Sequence, residues 1–216
     1  MQLLNNDRYY VNIKNNDRYE RTLMRYSDRQ KAEARDRLLN AAGRAFRREG
    51  YGGIGVDGLA REAGVTSGAF YGHFKSKDEA FAEVAVAGLE QLEAAIRDLQ
   101  TAHPDDWAER FIDLYLGERL ACDLDVSCAL QSMTPDVMRS GEATRQRYEV
   151  VIQRIVKLVA GGIAGPTSEA SERMAIALLA MLSGGVTMAR SLGSEAMRAA
   201  FARQLKDAAK QLLKSD

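Results

Sequence analysis

The run Val56–Lys77 (VDGLAREAGVTSGAFYGHFKSK) constrains this chain more than any other segment. Val56, Leu59, Ala60 and Ala63 recur at the spacing of one face of a short helix. Gly64 follows where the chain must reverse, and glycine enters the left-handed region at no steric cost. Val65 plugs the turn. A second helix begins near Thr66, and Ala69, Phe70 and Phe74 are spaced to pack it back on the first. That leaves Thr66, Ser67, Gly68, Tyr71 and His73 facing outward. Two short helices joined by a glycine turn form a helix-turn-helix, whose second helix enters the major groove of DNA.

The outward residues are short at the start of the second helix and longer further along. Short groups let the backbone approach base edges, where a hydroxyl of Thr66 or Ser67 hydrogen-bonds and the Ala69 methyl meets a thymine methyl. Tyr71, His73, Lys75 and Lys77 suit phosphate better. Lys77 also precedes Asp78 at the expected start of the next helix, where free backbone N–H groups and the positive dipole end favour an anion.

Leu38–Phe46 (LLNAAGRAF), Gly50 and Tyr51, and then VDGLAREAGVTSGAFYGHFKSKDEAF resemble the N-terminal DNA-binding domain of TetR/AcrR-family transcriptional regulators, over residues from about 27 to 82. The portion Gly-Val-x-x-Gly-x-x-Tyr-x-His-Phe-x-x-Lys carries most of the likeness. The resemblance implies an all-α homodimer, usually a repressor, released from its operator when a small molecule enters the larger C-terminal domain. Gly55 departs from the pattern, because the family commonly has Ser or Thr as the cap of that helix. It remains a permitted cap and a DNA-side position, without the hydroxyl contact.

The whole chain is compatible with this reading. Its 216 residues are 46% hydrophobic, enough to bury a core. The formal net charge is zero, which argues against a general nucleic-acid coat, but the average hides an asymmetry. Residues 25–78 hold 11 Lys/Arg against 7 Asp/Glu, a net +4, whereas residues 79–216 carry −5. The expected organisation is an extension over residues 1–24, a three-helix DNA-binding domain over 25–76, and a C-terminal helical bundle for ligand binding and dimerisation over 77–216. The extension repeats NNDRY at Asn5–Tyr9 and Asn15–Tyr19, lacks a core-forming period, and is expected to be disordered. A flexible arm into the minor groove is the functional alternative, supported by Arg8, Lys14, Arg18 and Arg21 alone.

Ser27 and Gln30 form a capping box for the first long helix, and Gly50 ends it. Its stripe of Ala34, Leu38, Ala41, Ala42 and Ala45 reads as scaffold, and Arg44, Arg47 and Arg48 read chiefly as a solvated face. Further helices are expected from Lys77 to Gln100, Trp107 to Cys122, Cys128 to Met138, Ala143 to Ala160, Ser168 to Ala189 and Ser194 to Leu213. Met174, Leu178, Met181, Gly185 and Met188 form one stripe, and Met197, Phe201, Leu205, Ala208 and Leu212 another. Each fits ordinary core, but the family resemblance makes this last helix pair the dimer interface.

Trp107, Phe111, Tyr115, Met133, Val137, Tyr148, Ile152 and Met181 are candidates for an apolar effector cavity, although plain core packing accounts for any one of them. Cys122 and Cys128 do not make a disulfide framework. Around SerCysAlaLeu at 127–130 the chain resembles a branch of the family with a cysteine at a helix start, where a thiol gains reactivity, so a redox or electrophile sensor is a second reading beside two small buried residues. A helical small-molecule binder without DNA binding is a third. No nucleophile motif, phosphate cradle or metal-ligand cluster is present, so neither an enzyme nor a cofactor is expected. The longest uncharged segment, Met174–Ala189, is shorter than the roughly 20 residues of a spanning helix. A cytoplasmic location with no membrane contact follows as the expectation.

Overall fold

The computed structural model describes the backbone of residues 7–163 and 165–214, with side chains from Arg29 onwards. No strand occurs among the described residues. The first helix, α1, spans Asp7–Gly53 and contains one non-helical residue, Gly50, at φ 73° and ψ 169°. The helix proper therefore stops at Gly50, as expected. It does not start at Ser27, because helical backbone already runs through that position. The side chain of Ser27 and the expectations for residues 1–24 lie outside the described side chains.

Next come α2 (Val56–Glu62) and α3 (Ser67–Tyr71), joined through Gly64 at φ 69°. Any other L-residue held there costs about 1–2 kcal/mol. Leu59, Phe70 and Phe74 are buried between α1 and this pair. Phe46, Tyr51 and Phe81 then carry the packing onto α4 (Lys77–Ala102), with Phe46 and Phe81 edge to face at 5.3 Å.

The C-terminal part contains α5 (Trp107–Tyr115), α6 (Glu118–Ala121), α7 (Ala129–Ser132), α8 (Thr134–Arg139), α9 (Glu142–Gly162), α10 (Ser168–Ser191) and α11 (Glu195–Leu212). Two expected helices are broken. The segment Trp107–Cys122 divides at Leu116 and Gly117, both outside helical geometry. Cys128–Met138 divides at Met133, and α8 restarts with Pro135 in its first turn, where a missing N–H costs nothing. A 3₁₀ turn at Leu124–Val126, between α6 and α7, packs on α1.

Glycine decides two close approaches. A Cβ on Gly88 would overlap the Cβ of Ala129, so the α4 backbone at Gly88 receives the Ala129 side chain of α7 directly. On Gly185 it would stand 2.5 Å from Leu205 Cδ1, where α10 receives α11. With 24 residues, α10 is longer than the uncharged segment suggested, and it is long and apolar enough to cross a bilayer by length and composition alone. It packs against α7, α9 and α11 and buries Met174, Leu178, Leu182 and Val186, which is how the core helix of a bundle is made.

Candidate functional site

The helix-turn-helix presents α3 outward on a backing of buried Phe70. Thr66 caps the helix, its Oγ1 accepting from the Ala69 N–H at 3.2 Å. Thr66, Gly68 and Ala69 are exposed, and Tyr71 is 57% exposed. A Cβ on Gly68 would meet nothing nearer than Thr66 Oγ1 at 3.8 Å, so the backbone here is open to close approach. Ser67 is half-buried and donates to Asp57 at the start of α2. Its hydroxyl is engaged within the protein, a pairing the helical period did not reveal. Gly55 caps α2 through its backbone alone.

The cationic groups behind α3 divide into two kinds. Lys75 is exposed and His73 half-buried. Lys77 instead turns its ammonium inward, donating to the Tyr51 carbonyl at 2.5 Å and lying 4.0 Å from the centre of the Tyr51 ring. Tyr51 in turn donates its hydroxyl to Asp78 at 2.6 Å, a bond that with burial pushes its pKa up to about 12. The start of α4 is also occupied: Ser76 Oγ accepts from the Glu79 N–H, and the Glu79 carboxylate accepts from the Lys75 N–H. The free protein therefore shows Lys77 fastening α4 to the helix-turn-helix, with two acidic side chains at the helix start.

Two further links join the DNA-side helices to the rest. Arg35 on α1 donates to both oxygens of Glu83 on α4, at 2.7 and 2.5 Å, and its guanidinium lies 4.9 Å from the Phe74 ring centre. The Tyr51 N–H, just past the Gly50 break, donates to Asp136 of α8 at 2.8 Å.

A cavity of about 820 Å³ opens between α1, α4, α5 and the segment from Arg119 to Ala129. Of the eight side chains expected to line it, Phe111 and Tyr115 do so. The others are absent from its wall, for visible reasons. Trp107 is buried and donates its indole N–H to the Gly162 carbonyl at 3.0 Å. Tyr148 is buried with its hydroxyl 2.7 Å from Thr134 Oγ1, and burial pushes its pKa up to about 12. Met133 and Val137 are core, and Ile152 and Met181 pack against it.

Sequence reasoning missed the polar part of the wall. Arg44, Arg47 and Arg119 face the cavity together with Asp98, Asp125 and Cys128. Arg48 does lie on the solvated face expected of it, paired with Glu49 and Glu62. Arg47 does not. Arg47 is spaced one turn beyond Gly43, and a small residue one turn before a long cation was the one signal in the sequence that it had room to fold inward.

Cys122 and Cys128 are both free thiols and half-buried. Cys122 donates to the Arg119 carbonyl and receives Arg190 Nη2 at 3.2 Å. Cys128 stands in the cavity wall ahead of α7, which is only four residues long. So short a helix adds little dipole to its start.

On the far side, α10 leaves a row four residues apart uncovered: Ile176 at 52%, then Ala180 and Gly184, then Met188 at 59% exposed. Met197 on α11 is 61% exposed. This corrects the stripe read from the sequence, since Met174, Leu178 and Gly185 are buried inside their own chain and only Met188 belongs to the open face.

Residues 38–84 match the family described as bacterial regulatory proteins, tetR family. The HTH-type transcriptional regulator AcrR of Shigella flexneri is 36% identical over 62 residues, which are 29% of either chain, so the match spans less than a third of that relative. The uncharacterized HTH-type transcriptional regulator YfiR of Bacillus subtilis (strain 168) is 27% identical over 145 residues, 64% of this chain and 67% of that one. Among solved structures, a TetR transcriptional regulator from Legionella pneumophila shares the fold with a TM-score of 0.69 at 18% identity, over 81% of this chain and 94% of that one.

Proposed function

We propose that the chain is a regulator of the TetR family, whose bacterial regulatory-protein pattern residues 38–84 match, and that it binds an inverted-repeat operator as a homodimer, acts as a repressor, and is released by a small molecule entering the cavity. The observation that carries this reading is α3: an outward face of Thr66, Gly68, Ala69 and Tyr71 on a fixed backing of Phe70. Thr66, Gly68 and Ala69 are assigned to base edges, with Ser67 setting the position of α3 through Asp57. Tyr71, His73 and Lys75 are assigned to phosphate. Lys77 and Gly55 contribute through the placement of α4 and α2.

The uncovered row on α10 and Met197 on α11 support a two-fold interface, which places two copies of α3 about 34 Å apart or at a related spacing. Action on chromosomal DNA puts the protein in the cytoplasm and needs no enzymatic step. Release has a physical route, because α4 supplies Gly88, Leu92 and Leu99 to the cavity and also holds the DNA-side helices through Glu83. A ligand that tilts α4 changes the distance between the two copies of α3. Coupling on the order of 1–3 kcal/mol suffices for a useful change in affinity.

The test is retardation of DNA from the protein's own upstream region, repeated across salt concentrations. Tyr71→Phe is expected to weaken binding to all sequences alike and to flatten the salt dependence, while Thr66 substitutions shift sequence preference. Failure to retard any such DNA would leave a helical small-molecule binder.

A second reading, thiol control of release, draws on Cys128 standing in the cavity wall. Equal operator release by peroxide or an alkylating electrophile in wild type and Cys128→Ser would exclude it.

A further inference from the structure

Arg47 is the anomaly of the cavity wall. It belongs to α1, the helix under the helix-turn-helix, and its guanidinium lies where α1 crosses α4. A Cβ on Gly43 would stand 3.1 Å from its Nη1, and one on Gly88 3.0 Å from its Nη2. The neighbouring arginines have carboxylates, Arg44 with Glu62 and Arg48 with Glu49 and Glu62. Arg47 makes no ion pair within 4.0 Å among the described residues, and its Nε is buried without a hydrogen-bond partner. Burial holds its pKa below the ordinary arginine value, and the charge of Arg119 lowers it further against the opposing effects of Cys128 and Asp125.

Tyr115 presents the same deficit from α5. It is 2% exposed and lines the same cavity, and the only group its hydroxyl meets is the Cys128 thiol, a weak hydrogen-bonding partner that leaves it largely unsatisfied. Burying a polar group without a partner costs free energy, and a charged one costs more. Two such groups, on different helices and around one cavity, are accounted for by a partner that is not part of the chain. Beside the charged groups Arg44, Arg119, Asp98 and Asp125, the wall has an apolar part formed by Leu92, Leu99, Phe111 and Leu114.

We infer that the cavity binds a small amphipathic monocarboxylate, its carboxylate held by the Arg47 guanidinium and the Tyr115 hydroxyl and its apolar body laid against Leu92, Leu99 and Phe111. The planar fork of arginine matches a carboxylate. Asp98 and Asp125 offset Arg44 and Arg119 in the same wall, and Arg44 is further paired with Glu62, so the charge left for a ligand is the single one of Arg47. Bound in this way, the acid joins α1 to α5, so it acts directly on the helix that supports α3. The inference rests on the effector reading above and narrows it to a chemical class.

Calorimetric titration of the full chain without DNA tests it, using decanoate and 2-naphthoate as probes and their amides as uncharged controls. At least one acid is expected to bind about tenfold or more tighter than its amide, the scale of a hydrogen bond to a charged group. An aliphatic or an aromatic preference identifies which body the cavity takes. Arg47→Met should remove the preference for the acid, lowering acid affinity by at least tenfold more than amide affinity, and Tyr115→Phe should lower acid affinity severalfold. Acids that bind no better than amides, or acid binding that survives Arg47→Met, would overturn the inference.

The ligand-free Arg47→Met variant should melt at or above the wild-type temperature, because an unpaired buried charge has been removed. A clearly lower melting temperature would make Arg47 a structural residue and overturn the inference as well. An acid that binds but leaves the operator complex intact would refute the effector reading and spare this one, whereas operator binding without acid binding does the reverse.

Discussion

The two ends of α1's partnership are built in opposite ways. At the DNA-side end the polar groups have found partners within the chain: Thr66 on the Ala69 N–H, Ser67 on Asp57, Lys77 on the Tyr51 carbonyl and Tyr51 on Asp78. At the cavity end the Arg47 Nε has none, and the Tyr115 hydroxyl has only the weakly bonding Cys128 thiol beside it. Polar groups that are paired inside a protein hold its shape, and those buried unpaired mark where free energy is available to something else. The same helix thus carries a finished surface and an unfinished one. A rigid α3 is what reading base edges requires, and an uncompensated cavity is what responding to a small molecule requires.

The contrast is easiest to break at the backing of the finished surface. Phe70 is fully buried in the core, with its ring against Phe74, so Phe70→Ala should cost about 3–5 kcal/mol. Denaturant unfolding measures it, and operator retardation should be lost in parallel. A loss below about 1 kcal/mol would mean that α3 is not held as described.

Thr66→Ala is smaller. Removal of this cap should destabilise by about 0.5–2 kcal/mol, opposite in sign to the Arg47→Met effect expected at the cavity. Effects of the same sign at the two sites would erase the distinction between them.

The remaining effect is alkaline. Tyr51 and Tyr148 are both held up to about 12, Tyr51 by the bond it donates to Asp78 and then by burial, Tyr148 by burial. In each case the fold favours the neutral phenol, so the contribution is complete below the ordinary value near 10 and is lost as pH rises from about 10 to about 12. Urea midpoints across that window should fall, less steeply in Tyr51→Phe and in Tyr148→Phe. The Tyr51 share is the lesser, because that bond is largely exposed to solvent. Parallel curves for wild type and both variants would show that neither tyrosine carries the dependence.

The helix-turn-helix was legible because its signals are local. Gly64 stands in the turn between α2 and α3 with positive φ, and Thr66 caps the helix it precedes. Gly50, too, marks its break. What the period of α3 did not reveal was which outward groups the protein keeps for itself, since Ser67 meets Asp57 across ten positions and Lys77 meets Tyr51 across twenty-six. The cavity was less legible still. Apolar spacing identifies residues that leave water, but Met133, Val137 and Tyr148 leave it for the core and Phe111 for the cavity by the same pattern.

The dimer face shows the same limit. Period alone could not separate the stripe of α10 that packs on α9 and α11 from the row at Ile176, Ala180, Gly184 and Met188 that stays open. By itself the sequence determined an all-α chain, its helix-turn-helix and the residues on the outward side of α3, because these depend on helical period, a glycine turn and a cap within a few residues. The tertiary structure decided where Arg47 points, which apolar residues enclose space rather than fill it, and which face of α10 remains uncovered. Each of those depends on which surfaces of distant helices meet, and a residue's own neighbours in the chain do not encode that.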